Sequence, residues 1–223
     1  MGRAEGKDMS DHKAVAASSG VTLDSKGHRY SLPEGQGQAA RPVAISVSSV
    51  IKRSGMIDTT WFTAQGAENG TRRHQVIEFD GEGDLEESSV DPSDRGYLDG
   101  HRAFIEATGW SSIYIERPIY SAKWECGACP DDIGSFPGDP YLTVLDSKTG
   151  SVAYATRYQL AAYVRIANED YYGGSRVILG RCALRLQGNG SYGYIKYHIR
   201  DLRKDTEKFE AALALPPTKK ETP

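Results

Sequence analysis

The segment 178–200 most constrains the fold. "ILGRCALRL" and "SYGYIKYHIR" are short runs rich in β-branched residues and tyrosine, joined by Gln-Gly-Asn-Gly, and they read as an antiparallel hairpin. Side chains alternate across a strand, so the loop length assigns the faces. With a four-residue loop, Leu186 lies opposite Ser191, Cys182 opposite Ile195 and Ile178 opposite Ile199, a core face that Leu184 joins. The other face then presents Arg181 and Arg185 beside Tyr192, Tyr194, Lys196, His198 and Arg200. Like charges set opposite each other destabilise a sheet. An acidic loop, an acidic neighbouring subunit or phosphate would offset that repulsion.

The rest of the chain reads in the same idiom. Short runs of Tyr and β-branched residues between Gly, Pro and Asp favour strands at 43–51, 59–64, 73–80 and 110–120, and a hairpin over 141–157. The segment 158–168 fits a helix or a strand, 128–140 reads as a loop, and short helices are expected near 97–109 and 202–215. The expected fold is all-β or β-dominated: an antiparallel β-sandwich, the jelly roll being one form, with one or two short helices. Residues 1–41 are polar and aperiodic and read as a disordered arm, 42–215 as the sandwich domain, and 216–223 as a disordered tail.

Charge is unevenly placed although the net is only −3. The segment 74–106 holds ten acids against two bases, and 157–204 holds nine bases against three acids, which suits two faces of opposite sign. Arginine grips phosphate and a phenol ring stacks on a base, so the basic, tyrosine-bearing hairpin suits RNA or another polyanion. The outward reading of charged strands as plain solvent-facing decoration needs no ligand. No run of about 18 apolar residues is present, so no membrane contact by a spanning helix is expected. Three cysteines and no secretory signal point to a reducing compartment.

Catalytic patterns are sparse. Cys126 and Cys129 form Cys-Gly-Ala-Cys, half of a zinc site that would need Cys182 and a histidine such as His101 or His198. Glu78 and Asp80 would share a strand face, as two carboxylates of a metal or glycosidase site do, or as the wet side of a strand does. No Gly-X-Ser-X-Gly, Gly-X-Gly-X-X-Gly, P-loop or EF-hand spacing occurs. No catalytic residue, metal ligand or cofactor is assigned from these patterns.

"TGSVAYAT" (149–156) followed by "LRLQGNGSYGYIKYHIR" (184–200) resembles the later strands of jelly-roll coat proteins of small icosahedral, luteovirus-like plant RNA viruses. The resemblance implies a self-assembling virion shell subunit, found in the virion or cytoplasm, whose inner surface meets RNA. Such coats begin with a strongly basic arm, whereas residues 1–41 here carry six bases against five acids and release few counterions. The alternatives are a β-sandwich recognition module for a carbohydrate or protein, and a metal-dependent hydrolase built on the acids and the Cys-Gly-Ala-Cys loop.

Overall fold

The structure is a computed structural model and describes residues 19–24, 29–34, 39–60, 62–171 and 177–216. In chain order the strands and helices are β1 (Thr22–Asp24), β2 (Arg29–Leu32), β3 (Arg41–Pro42), β4 (Ile45–Ser46), α1 (Val47–Arg53), α2 (Ala64–Glu82), α3 (Pro92–Thr108) and β5 (Ser111–Ile115). There follow β6 (Ile119–Ser121), β7 (Cys126–Ala128), β8 (Asp132–Ser135), β9 (Leu142–Lys148), α4 (Thr156–Asp170), β10 (Ile178–Leu186), β11 (Tyr192–Tyr197) and α5 (Leu202–Leu213). Strands are plentiful, but helix outweighs them among the described residues, which corrects the expectation of an all-β chain with one or two short helices.

The main sheet has the order β11-β10-β9-β8-β5. Strands β9 and β10 are parallel, and the other neighbours are antiparallel. Parallel neighbours need a crossover, and α4 supplies it. The hairpin expected over 141–157 therefore does not close: β9 forms, and the chain after it enters α4. A mixed sheet covered by helices stands where the sequence reading places an antiparallel sandwich. Val144, Ala183 and Ile133 pack toward α4, α1 and α5 in one buried cluster. Leu145, Cys182, Leu184 and Leu186 pack with Phe104 of α3 in a second, on the other face.

Local signals explain the helices that replace expected strands. Thr63 caps α2 by accepting from the Gly66 N–H at 3.0 Å, and Gly83 closes it at φ 79°. Between those caps Ala, Gln, Glu and Arg are good helix formers, and Arg73 and Ile77 lie one turn apart on the side that meets α3 and its cluster, which the short alternation at 73–80 disguises. Ser46 caps α1, so the expected strand at 43–51 is two strand residues followed by a helix. Asp91 caps α3 with Pro92 in its first turn, and Gly109 ends it at φ 66°.

The expected N-terminal arm is in part folded. Strands β1, β2 and β3 make a small antiparallel sheet. Ser19 ties it down by donating from N and Oγ to the two oxygens of buried Asp170, each at 2.8 Å. Residues 1–18 and the tail from 217 lie outside the described residues. No helix among the described residues is long and apolar enough to cross a membrane.

The C-terminal hairpin forms, with a shifted register. Gln187 N–H donates to Ser191 C=O at 3.0 Å, Gly190 turns at φ 84°, and Leu186 pairs with Tyr192. The connection thus has three residues beyond its closing pair, a type that uses glycine at the left-handed position. The one-residue slip turns every β11 side chain to the other face. The turn is also pressed against α3: a Cβ on Gly96 would meet the Gly188 carbonyl oxygen at 1.9 Å. Gly96→Ala should therefore cost ~1–3 kcal/mol, the usual range for forcing atoms into a filled core, measured by chemical denaturation. An unchanged midpoint would show that α3 and the hairpin do not touch there.

Candidate active site

The register separates the seven residues expected to face a polyanion. Arg181 and Arg185 lie on the side of Ala183, while Tyr192, Tyr194 and Lys196 lie on the α3 side with Cys182, Leu184 and Leu186. Arg181 is buried, its guanidinium 2.6 Å from Asp205 Oδ2 and donating to the carbonyls of Arg157 and His198. Tyr192 and Tyr194 meet the Phe104 ring edge-on. Lys196 sits 3.5 Å from the Phe136 ring centre and 3.5 Å from Asp139. His198 accepts from the Arg200 N–H in a local turn, and only Arg185, His198 and Arg200 remain as outward cations or imidazole away from such contacts. The wall of seven is corrected to scattered surface groups around a buried ion pair.

The cysteines that a zinc site would have needed likewise lie in different surroundings. Cys126 is buried in β7, Cys182 is buried toward α3, and Cys129 alone enters a cleft. Two positions apart on a helix rather than a strand, Glu78 and Asp80 diverge: Asp80 pairs with Arg102 at 2.5 Å, and Glu78 faces the cleft that holds Cys129.

That cleft, of about 300 Å³, gathers Glu78, Glu116, Asp131 and Asp146 with His74, Cys129 and Lys148. Its floor is the α4 side of the sheet. Asp131 enters at the start of β8, and Asp146 and Lys148 enter from the end of β9, where positions i and i+2 share a face. Gln159 and Tyr163, one turn apart on α4, form the back wall, with Gln159 Nε2 donating to the Tyr163 hydroxyl at 2.7 Å. His74 and Glu78 come down from α2, and Glu116 from the break between β5 and β6. Glu116 is held at φ 46°, a left-handed conformation unusual for a residue with a side chain, and such strain concentrates at functional sites. Tyr30 of β2 closes one side, its ring so close over Gly127 that a Cβ there would lie 2.6 Å from it.

The groups touch. His74 Nδ1 is 3.4 Å from Asp131 Oδ1 and 3.7 Å from Glu116 Oε1, and one ligand atom from each of the three residues lies within 4.8 Å of the others. The Ser147 N–H donates to Asp131 Oδ2 at 2.5 Å, and Cys129 Sγ donates to Glu116 Oε2 at 3.4 Å. Lys148 Nζ is 2.5 Å from Asp146 Oδ2 and 3.5 Å from Gln159 Oε1. Asp146 is 2% exposed, so its ion pair with Lys148 is made out of contact with solvent on the carboxylate side.

No family model matches the chain, and no curated protein matches it. The site must be read from its own chemistry.

Packing so many acids together shifts their protonation. Burial, then repulsion from Asp131, pushes Glu116 up to about 7 against the pull of His74. Burial pushes Asp131 up too, but His74, Lys148 and the Ser147 N–H outweigh it and hold the carboxylate ionised. The Asp131 charge, reinforced by Glu116, lifts His74 well above the ordinary imidazole range in spite of burial. Burial raises Asp146 and is only partly offset by Lys148. Burial pulls Lys148 down, yet Asp146 and Asp131 more than reverse it, so the ammonium persists.

Sequence reasoning passed over this site because Asp131 and Asp132 lie between Pro130 and Gly134 and read as a loop. The available signal was Asp146-X-Lys148 at the end of an apolar strand, followed by Gln159 and Tyr163 at helical spacing.

Proposed function

We propose that the protein is a divalent-metal-dependent phosphodiester hydrolase acting on nucleic acid. The carrying observation is the His74–Glu116–Asp131 cluster, whose ligand atoms lie within 4.8 Å of one another, beside buried Asp146 ion-paired to Lys148. Oxygen-rich ligands with one imidazole suit Mg²⁺ or Mn²⁺ over a thiophilic ion. Asp131, Glu116 and His74 would hold the ion; bound there, it would supply Lewis acidity and a more acidic water. A phosphodiester is an anion, and phosphate is the group such ions engage, so a bound cation would draw it toward these acids.

The chain's own groups then divide the work. Lys148, charged and anchored by Asp146 and Gln159, stabilises negative charge that grows on the phosphoryl oxygens. Asp146 accepts a hydrogen bond from the attacking water and orients it. Tyr163 and Gln159 hold the lysine in place from behind. Water adds to phosphorus, the bond to the ester oxygen breaks, and that oxygen leaves with a proton, giving a phosphomonoester and an alcohol.

The virion-shell reading leaned on an outward basic wall, and burial of Arg181 takes away its strongest member. The metal reading is tested by calorimetric titration with Mn²⁺ and by incubating DNA and RNA with Mg²⁺ or Mn²⁺. Asp131→Asn should weaken metal binding by at least the ~10–100-fold that loss of a ligand's outer partner costs, and cleavage should fall with it. Because Glu116 holds its proton up to about 7, metal must displace that proton below this pH, and it must displace the proton of His74, held well above the ordinary imidazole range, across the neutral range as well. Affinity should therefore rise as pH is raised from 6 to 8, with proton release throughout and more of it at the lower pH. No binding and no cleavage with either ion would remove the reading.

A further inference from the structure

Beside the acidic cleft lies a second one of about 490 Å³, and the two share Ser48, Lys148 and Gln159 as common wall. Its chemistry is different. Ile51, Met56 and Ile57 make an apolar floor, Lys52 stands at the rim, and no acid other than Asp58 lines it. Just after Ile57 the chain turns, with Asp58 Oδ1 accepting from both the Thr60 N–H at 2.9 Å and the Thr60 hydroxyl at 2.6 Å. Phe62 lines the same cleft and is 60% exposed, so its ring face is open to a ligand. Its backbone is held by a hydrogen bond from its N–H to Thr59 C=O at 3.0 Å.

We propose that this second cleft takes the base of the unpaired nucleotide next to the phosphate being cleaved, stacked on Phe62, so that the enzyme acts on single-stranded nucleic acid. The inference rests on the hydrolase reading for the position of the phosphate. A ligand seated there is continuous with the reacting phosphate through Lys148. An apolar floor with an aromatic ring at the rim accepts any base by its flat face. The volume lies in the range of small-ligand sites, ~300–1,000 Å³. A base still paired in a duplex would have to leave its stack to enter, so a paired strand bears a cost an unpaired one does not. Lys52 at the rim meets the neighbouring phosphate.

The test uses the whole protein with a labelled oligothymidylate, single-stranded or annealed to oligoadenylate. Binding is read by fluorescence anisotropy with Ca²⁺ and cleavage with Mg²⁺. The single strand should be bound and cut at least ~10-fold better than the duplex. Phe62→Ala should weaken binding of the single strand by ~5–150-fold, the loss expected for one base–aromatic stack, and Phe62→Trp should restore it. Equal use of duplex, or single-strand binding untouched in Phe62→Ala, would overturn the proposal. If nothing is cleaved yet binding of the single strand still depends on Phe62, the hydrolase reading falls and the base pocket stands. If cleavage is robust but indifferent to Phe62, the pocket alone falls.

Discussion

Lys148→Ala should lower kcat for nucleic-acid cleavage by ~10²–10³, the usual effect of removing one preorganised group that stabilises charge in the transition state, while Mn²⁺ still binds. The reasoning turns on the lysine's charge. Asp146 and Asp131 overcome burial and keep Lys148 above the ordinary lysine range, so at neutral pH it cannot take a proton and acts as a fixed cation. The rate should therefore show no rise attributable to lysine deprotonation between pH 7 and 9. Lys148→Arg should not restore activity, because a planar guanidinium cannot occupy the compact seat between Asp146 and Gln159. Steady-state rates across pH, with metal titration of the same variants, decide the matter. A Lys148→Ala protein as active as the wild type would leave the acids as a charge-balanced structural cluster.

Asp205→Ala should cost ~3–5 kcal/mol, the range for stranding a buried charge, or ~6–20 °C in Tm for a chain of this size. Asp205 is 1% exposed and holds two guanidiniums, Arg181 at 2.6 Å and Arg157 at 2.9 Å. It joins α5 to β10 and to the first turn of α4, so the pair locks the last helix against the crossover. Removing both charges, as in Arg181→Met with Asp205→Leu, should recover most of the loss, since apolar replacement of a buried pair is often neutral or better. Arg185→Ala, at an exposed position, should stay within about 0.5 kcal/mol of wild type. Urea denaturation of the four proteins measures this, and a loss under ~1 kcal/mol for Asp205→Ala would contradict the buried pairing. A weakening of nucleic-acid binding in an Arg181→Glu protein would accordingly report on folding and not on a contact.

The hairpin at 178–197 was legible because its runs are strongly β-forming and its glycines sit where the chain reverses. Its faces were not, since a loop one residue shorter than supposed sends Tyr192, Tyr194 and Lys196 to the opposite side. Helix α3 was legible in its second half, where Gly109 marks the stop. Its first turn was lost in the acidic run, where Asp91 acts as a cap while Asp94 pairs with Arg72 and Arg73. Strand β8 was missed altogether. Its backbone is buried in a central position of the sheet, and a neighbour's hydrogen bonds, not its own composition, make it a strand.

Local chemistry within the sequence determined where the chain turns, which helices are capped and where charge accumulates, since each of these is settled by residues a few positions apart. Tertiary structure alone decided that β9 pairs in parallel with β10 and that Asp131, Asp146 and Lys148 meet His74 and Glu116. Those groups come from elements far apart in the chain, and each is an ordinary polar residue until packing removes water from around it. Their shifted protonation arises from that enforced nearness, because only buried charges that cannot escape one another are driven to hold protons in common.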